Sequence, residues 1–534
     1  MNLSGKIASA QRLLTLFSLE RITWGFVGLG ILFRLRQYLF DRSLWLDEAD
    51  LVLNVIHRSP SELLKPLDYH QGAPLGFLML EKSAVLGFGN DEMALRLVPF
   101  LSGILALILF ASVAWRFLAP TAVPVAVGLF AISDPLIYYS TEAKQYSSDI
   151  AVTVLLFLLA GYLLERKFEA GPVVIISIIG AIALWFSHPA VFILAAIGLS
   201  CLADALQRQD RRGLFLLSIP GVLWPSSFLL NFLESLRGLS RDSTLLDYWR
   251  SAFAPFPPSS LADARWFIDS FFDIFSDPLG LTLKGIAAVA AVLGLIEFFA
   301  EHRQRFVLFL TPAVLTLVAS ALHRYPFRGR LLLFLVPSLI LLIAAGLESL
   351  RARTRDSLPY LSFLLIAFLF LDPILDAGVH VRNPQPKEEI RPVIEYIENH
   401  RMDGDALYLY YSSLHPFQYY SARHLIGPMD EIIGIESRSD WKPYRADLDQ
   451  LRGRRRAWIL FSHIYRWAGV NGVDEERLFL DYLDSMGRRL DSSRAQGASV
   501  YLYDFGIQNH RAGPAMAAGA LPRSWASRST ETEP

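Results

Sequence analysis

The sequence predicts a polytopic α-helical membrane protein of about eleven transmembrane helices, followed by a small α/β domain. Of its 534 residues, 53% are hydrophobic and only 19% are charged. In soluble domains about 45–50% of the residues are apolar and about 25% are charged. Runs of about 16–22 apolar residues recur between Ile22 and Leu371, the length needed to cross a hydrocarbon core of about 30 Å. The composition therefore excludes a soluble enzyme, a nucleic-acid-binding protein and a disordered scaffold.

Lys and Arg residues give these spans an orientation. The approximate limits of the spans are 22–39, 97–115, 121–139, 147–164, 172–187, 189–206, 213–232, 280–299, 306–322, 331–348 and 357–372. Every loop that follows an even-numbered span carries Lys or Arg, and such loops usually stay in the cytoplasm. We therefore expect a multi-pass protein of the inner cell membrane, with a cytoplasmic N-terminus that is retained as an anchor and an extracytoplasmic C-terminal domain.

The segment Pro74–Phe88 decides this orientation. It is apolar but short, and Glu81 and Lys82 lie in its middle. Because a charge at the centre of a span costs about 2.5–3.5 kcal/mol, we expect an amphipathic helix on the outer membrane surface. A short, tilted span is the alternative, and it would move every later basic loop outside.

The predicted organisation has four parts. They are a cytoplasmic N-terminus (1–21), a transmembrane domain (22–378) with outer loops at 41–96 and 235–278, an extracytoplasmic α/β domain (379–507) and a disordered tail (508–534). Patterning in the α/β domain predicts helices over 388–400 and 475–486, and strands over 406–411, 457–462 and 499–504. Cys201 is the single cysteine, so no intrachain disulfide can form.

Asp47 and Glu48 belong to an acidic cluster just after the first span. Together with Asp50 they place three carboxylates in four residues, beside Trp45 at interface depth. Mutual repulsion and partial desolvation would raise the pKa of at least one carboxyl, which suits a general base. Alternatively, the cluster is the acidic first turn of a surface helix, where carboxylates interact favourably with the helix dipole.

Two further polar clusters lie on the same side. His70 and Gln71 precede a Gly/Pro turn, where they could hydrogen-bond a sugar or phosphate; a lone histidine is weak evidence for a metal, and a solvated loop is the alternative. Glu142, Lys144 and Tyr146 form a tight turn after the third span. An aromatic belt with a snorkelling lysine would account for the tyrosines, but not for the Glu/Lys pair.

Arg324, Tyr325, Arg328 and Arg330 form the fourth cluster. Its three arginines lie outside, against the positive-inside bias. Guanidinium groups suit phosphate, so an anionic ligand near the bilayer surface is expected. Pairing with nearby carboxylates or lipid headgroups is the alternative.

These clusters lie on one rim and fit one kind of substrate. Cations would bind a phosphate at the interface, carboxylates would accept hydroxyl protons, and aromatic faces would stack on sugar rings. A sugar linked to a lipid phosphate combines these groups. The net charge of −1 gives no bulk field for a polyanion, so no nucleic-acid partner is expected.

At these motifs the chain resembles the GT-C glycosyltransferases, in particular bacterial relatives of dolichyl-phosphate-mannose protein mannosyltransferases and aminoarabinose transferases. The resemblance covers roughly 20–372 and rests on Asp47-Glu48, His70 to Pro74, Glu142 to Tyr146, and Tyr325 to Arg330 before a run ending in Pro337. It implies an inverting transfer of a sugar, hexose or pentose, from a polyprenyl-phosphate donor to an extracytoplasmic cell-envelope glycan, lipid or protein.

The resemblance also implies roles for individual residues. Asp47 would be the general base on the acceptor hydroxyl, and Glu48 would orient the site. The candidates for the leaving phosphate are Lys144 and Arg330 first, then Arg324 and Arg328. The substrate-binding candidates are His70, Gln71, Glu142, Tyr146 and Tyr325.

Some features separate the chain from its relatives and leave rivals open. Asp50 and His70-Gln71 stand where aminoarabinose transferases have Arg and Glu-Lys, which argues against aminoarabinose as the sugar. A polymerase or ligase using a lipid-pyrophosphate glycan remains an alternative. A transporter or flippase would need ionisable groups at the bilayer midplane and related halves, which the sequence does not have. No cofactor is expected, and a divalent metal is compatible with the chemistry but not required.

Overall fold

A computed structural model describes residues 3–165, 168–239, 242–423, 425–438, 440–466 and 474–506, with the backbone alone for 3–17. The predicted disordered tail (508–534) lies outside these residues. The helices before residue 97 are α1 (Leu3–Tyr38), α2 (Leu46–His57), α3 (Leu75–Phe88) and α4 (Glu92–Leu95). The helices up to residue 382 are α5 (Leu97–Phe117), α6 (Val123–Ile132), α7 (Asp134–Tyr139), α8 (Tyr146–Glu165), α9 (Ala170–Phe186), α10 (Ala190–Gln207), α11 (Arg211–Leu216), α12 (Ser218–Asn231), α13 (Arg237–Leu239), α14 (Ser243–Tyr248), α15 (Leu261–Ser276), α16 (Lys284–Glu301), α17 (Arg303–Ala321), α18 (Val336–Thr354) and α19 (Leu361–Arg382). Short 3₁₀ segments cover Glu62–Leu64, Arg250–Ala252 and Gly329–Leu335, and Phe232–Leu236 is a π-helical turn.

The predicted polytopic membrane protein is confirmed, since helical structure covers most of each predicted span. Among the described residues, seven helical stretches are long and apolar enough to cross a membrane: Leu97–Phe117, Tyr146–Glu165, Ala190–Gln207, Arg211–Leu239, Arg303–Ala321, Gly329–Thr354 and Leu361–Arg382. The helices α6 and α9 are apolar but shorter. Arg34 in the first span is 1% exposed and donates to the carbonyls of Gly30 and Ala131 at 3.0 and 3.2 Å, so its charge is hydrogen-bonded inside the protein.

Helices α16 and α18 approach each other at two glycines. A Cβ atom built on Gly346 would overlap the carbonyl oxygen of Ala290, and one built on Gly294 would overlap that of Leu342. Glu297 on the same helix pair accepts a hydrogen bond from Ser349 at 2.7 Å. Small residues let helix backbones pack closely in a membrane, where no hydrophobic force drives helices together.

A helix, α3, forms where we predicted one on the outer membrane surface, but its charged pair faces the protein rather than water. Glu81 and Lys82 are 3% and 8% exposed, while Leu86 and Phe88 are 71% and 70% exposed. Lys82 Nζ donates to the carbonyls of Val55 and Ile56, at 2.9 and 3.1 Å, in the last turn of α2. The negative end of a helix favours a cation there, which explains why the lysine is buried.

The contacts divide the described chain into two compact units. The membrane unit contains the residues up to 41 and 54–385, and the α/β unit contains 42–53 and 386–506. The division falls within α2, whose first two turns group with the C-terminal residues. The sequence did not indicate this grouping, because 42–53 directly follow the first span.

The α/β unit is built on a five-stranded sheet. Its elements are α20 (Ile390–His400), β1 (Ala406–Leu409), α21 (Leu414–Ala422), β2 (Asp430–Ile433), α22 (Trp441–Leu448), β3 (Ala457–Ser462), α23 (Glu475–Met486), β4 (Arg488–Ala495) and β5 (Ala498–Asp504). The strand order is β2-β1-β3-β5-β4. The strand β1 is parallel to β2 and β3, with Ala406 opposite Ala457, and β5 is antiparallel to β3 and β4.

The predicted α/β domain is confirmed, with two strands added. All six residues of β3 are buried, and such apolar strands are readable from sequence. Strand β4 has the sequence RRLDSSRA with an exposed face, and β2 is a short, mostly exposed edge strand. Neither has the apolar pattern that predicts a strand, so the sequence did not reveal them.

Candidate functional site

In the membrane unit, the loop before α3 meets the turn before α8. Lys144 Nζ donates to Gln71 Oε1 at 2.6 Å, although the two residues are 73 positions apart. Lys144 is only 3% exposed. The structure therefore joins two of the predicted site residues and places the lysine charge in a largely buried position.

The loop that carries Gln71 has a strained backbone. Tyr69 and His70 both have left-handed conformations, with φ of 63° and 54°. Each such non-glycine residue costs roughly 1–3 kcal/mol and persists only where its surroundings hold it. His70 Nδ1 lies 2.6 Å from Asp242 Oδ2. Strain of this kind is common at binding sites.

Asp242 was not among the predicted site residues. Burial would raise the pKa of its carboxyl, but the hydrogen bonds from His70 and from the N–H groups of Leu245 and Thr244 lower it below its ordinary value. Asp242 is therefore an ionised partner for His70 near neutral pH. No sequence signal could have found it, because the two residues are 172 positions apart.

Arg330 is the predicted arginine that meets the 142–146 turn. Its guanidinium lies 5.6 Å from the ring centroid of Tyr146, within the range of a cation–π contact. Arg324 and Arg328 are exposed. Arg328 and Arg330 both interact electrostatically with Asp277, so pairing with a carboxylate, the alternative interpretation of these arginines, accounts for part of the cluster.

Tyr325 and Glu142 lie deeper. Tyr325 donates its hydroxyl to the carbonyl of Leu331 at 2.8 Å and packs edge-on against Phe192. Burial, with a smaller contribution from the charge of Asp149, raises the pKa of Tyr325 well above its ordinary value, so the phenol remains a donor. Glu142 is 0% exposed. Through its bond to the carbonyl of Leu331, Tyr325 helps to hold the backbone next to Arg330.

Asp149 is a second residue that the site prediction omitted. It lies in α8, one turn after Tyr146, and is 6% exposed. The sequence held a signal here, because an ionisable residue inside an apolar span is a candidate for function.

In the α/β unit, the predicted acidic cluster forms the start of α2. Asp47 and Glu48 occupy its first turn. Glu48 is 0% exposed and lies 4.0 Å from Arg42. Asp50 Oδ1 lies 2.6 Å from Nδ1 of His415, which the sequence did not indicate. The acidic helix turn that was the alternative interpretation is therefore present, and it carries the predicted general base.

Each unit, taken by itself, holds a different kind of chemical group. The membrane unit holds Lys144 and Arg330, which can stabilise an anion. The α/β unit holds Asp47, which can accept a proton. No group of three or more His, Cys, Asp or Glu side chains suited to a metal ion occurs among the described residues.

Comparison with known proteins is informative at the level of structure. No protein-family model and no curated protein sequence matches the chain. ArnT from Cupriavidus metallidurans, solved bound to undecaprenyl phosphate, is 12% identical with a TM-score of 0.50, over 90% of this chain and 98% of that one. Its apo structure gives a TM-score of 0.49 at 12% identity, over 93% and 98% of the two chains.

A second kind of enzyme gives a similar score. The archaeal oligosaccharyltransferase AglB from Archaeoglobus fulgidus, in complex with an inhibitory peptide and a dolichol-phosphate, is 10% identical with a TM-score of 0.49, over 90% of this chain and 74% of that one. At sequence identities this low, the similarity shows the fold alone, and it rests on the ArnT structure with undecaprenyl phosphate. The chain therefore has the fold of the GT-C membrane glycosyltransferases.

Proposed function

We propose that the protein is an inverting glycosyltransferase that moves a sugar from a polyprenyl-phosphate carrier to an acceptor on the extracytoplasmic side of the cell membrane. The observation that carries this proposal is the largely buried Lys144, bonded to Gln71 on a strained loop. A cation that is largely removed from water at the end of a membrane bundle suits a lipid-borne anion. The ArnT structure of similar fold was solved with undecaprenyl phosphate, which is an anion of this kind.

The proposed reaction is a single displacement. The acceptor oxygen attacks the anomeric carbon from the face opposite the phosphate, and Asp47 takes the hydroxyl proton. The bond from the anomeric carbon to the phosphate oxygen breaks, and its electron pair leaves with the polyprenyl phosphate. One further negative charge develops on that phosphate, and Lys144 and Arg330 would stabilise it. Glu48 would help to orient the acidic turn, while His70, Gln71, Tyr146 and Tyr325 would shape the donor site.

A reconstituted assay tests this proposal. Full-length protein in liposomes would receive labelled undecaprenyl-phosphate hexoses and pentoses, with a total cell-envelope lipid and glycan extract as acceptor. We expect label to move into the extract with inverted configuration, and free undecaprenyl phosphate to appear. Transfer from pyrophosphate-linked donors alone would identify a polymerase or ligase. Movement of intact donor across the bilayer without a covalent product would identify a transporter or flippase.

Lys144→Gln is expected to weaken binding of undecaprenyl phosphate by about 10–100-fold, the usual range for losing a hydrogen bond to a charged group. Arg330→Lys keeps the charge but loses the planar contact with Tyr146, so a smaller loss is expected. Native mass spectrometry of the protein in nanodiscs, titrated with undecaprenyl phosphate, measures both. Lys65→Gln, at an exposed lysine, is the matched control. Equal affinity of Lys144→Gln and this control would remove Lys144 from the phosphate site.

A further inference from the structure

The first turn of α2 is capped by a residue that is distant in the sequence. The N–H of Leu46 donates to Glu388 Oε2 at 3.3 Å, across 342 positions of sequence. The other oxygen of Glu388 lies 2.6 Å from Nδ1 of His463. The N–H groups of a first helical turn need an acceptor, and a carboxylate there also interacts favourably with the helix dipole. Glu388, which is 7% exposed, thus supplies a tertiary cap beside Asp47.

A second imidazole–carboxylate pair fixes the same turn. Asp50, which pairs with His415 at 2.6 Å, follows Asp47 by three positions. Residues three apart are neighbours on a helix surface. The pair with His415 therefore restricts rotation of α2 about its axis, while Glu388 fixes the position of its end.

The backbone at His463 is strained. This residue follows β3 with φ of 52°, a left-handed conformation that costs roughly 1–3 kcal/mol for a non-glycine residue. Ser412 donates its hydroxyl to the carbonyl of His463 at 3.0 Å, which helps to hold it. His463 thus combines a strained backbone with a side chain that pairs with Glu388, the cap of α2. Such strain is kept where a defined geometry is needed, and not only stability.

The residues before α2 add to these contacts. Ser43 Oγ donates to Glu389 at 2.9 Å, and the N–H of Leu44 donates to the hydroxyl of Tyr420 at 2.9 Å. Lys387 Nζ lies 3.1 Å from the centroid of the Trp45 ring. The segment that leads into α2 is therefore also held by residues of the α/β unit.

We propose that Glu388, His463 and His415 are positioning residues that hold Asp47 in the geometry needed for proton removal, so that the C-terminal domain takes part in the reaction. This inference rests on the proposed function. Loss of one partner should let the first turn of α2 open more often. The rate of transfer should then fall, while donor binding should remain.

The test uses full-length protein in nanodiscs with the variants Glu388→Gln and His415→Gln. Hydrogen–deuterium exchange of peptides covering 43–53 should become about tenfold faster or more, as expected for loss of a charge-assisted hydrogen bond, with unchanged exchange in β3 and β5. With labelled undecaprenyl-phosphate sugars, kcat should fall by about the same factor with KM for the donor unchanged. The exchanged pair Asp50→His with His415→Asp should recover part of kcat.

Glu395→Gln and His400→Gln, at exposed positions on α20, are the matched controls. If hydrogen–deuterium exchange over 43–53 is the same in Glu388→Gln and His415→Gln as in the controls, the positioning role is wrong, even where the enzyme is active. Faster exchange with unchanged kcat would show a purely structural contact and would also overturn it. Absence of transfer by the unmodified protein would instead overturn the proposed function, and this role with it.

Discussion

Replacing Asp47 by asparagine is expected to lower the transfer rate by about 10²–10⁴-fold, the usual contribution of a general base. In the proposed reaction the acceptor hydroxyl loses its proton as it attacks the anomeric carbon, and an amide cannot take that proton. Asparagine has nearly the same shape and suits the start of a helix, so α2 should still form. Single-turnover transfer at saturating donor measures the chemical step.

Two measurements separate this effect from misfolding. Undecaprenyl phosphate should bind Asp47→Asn as it binds the unmodified protein, because the cations that we assign to the phosphate belong to the membrane unit. Asp403→Asn, on an exposed turn of the α/β unit, should transfer at the normal rate. Normal transfer by Asp47→Asn would defeat the assignment of Asp47 as base.

Gly346→Leu is expected to destabilise the membrane unit by about 3 kcal/mol or more, at or above the upper end of overpacking effects. The new side chain would meet the backbone of Ala290 and Gly294, and backbone atoms cannot rotate away as a flexible side chain can. The helices α16 and α18 would have to separate along their contact. Thermal unfolding of the purified protein, monitored by the loss of the folded peak in size-exclusion chromatography, measures the change in stability.

Gly285→Leu is the matched control for this contact. Gly285 lies in α16, but a Cβ atom there would meet nothing within 4 Å. Leucine is also a better helix former than glycine. The control should therefore leave the melting temperature unchanged or raise it, and an equal loss in both variants would show that the glycine contact is not the cause.

The sequence predicted the helices and buried strands because their signals are local. The apolar runs predict the membrane helices, and the continuous apolar run at 457–462 predicts β3. Lys144 and Gln71 were both named as candidates, but their contact follows from the way the helices pack. Patterns within one segment cannot indicate which distant segment it will meet.

The partners of the acidic turn illustrate this limit. Glu388 belongs to a helix predicted over 388–400, and nothing in that segment indicates that it caps α2. His415 and His463 are single histidines without ligand spacing, which carry no functional signal by themselves. Asp149 is different, because its position inside an apolar span made it visible from sequence.

The hydrogen bond between Leu46 and Glu388 also bears on synthesis of the protein. The ribosome makes the aspartate of the acidic turn early, but Glu388 follows 342 residues after Leu46. At about 5–20 residues per second, translation takes roughly 20–70 s to cover that interval. Throughout this time the growing chain would hold the proposed base without the groups that we propose to orient it, and the acidic turn would reach its final geometry only after His463 has been made.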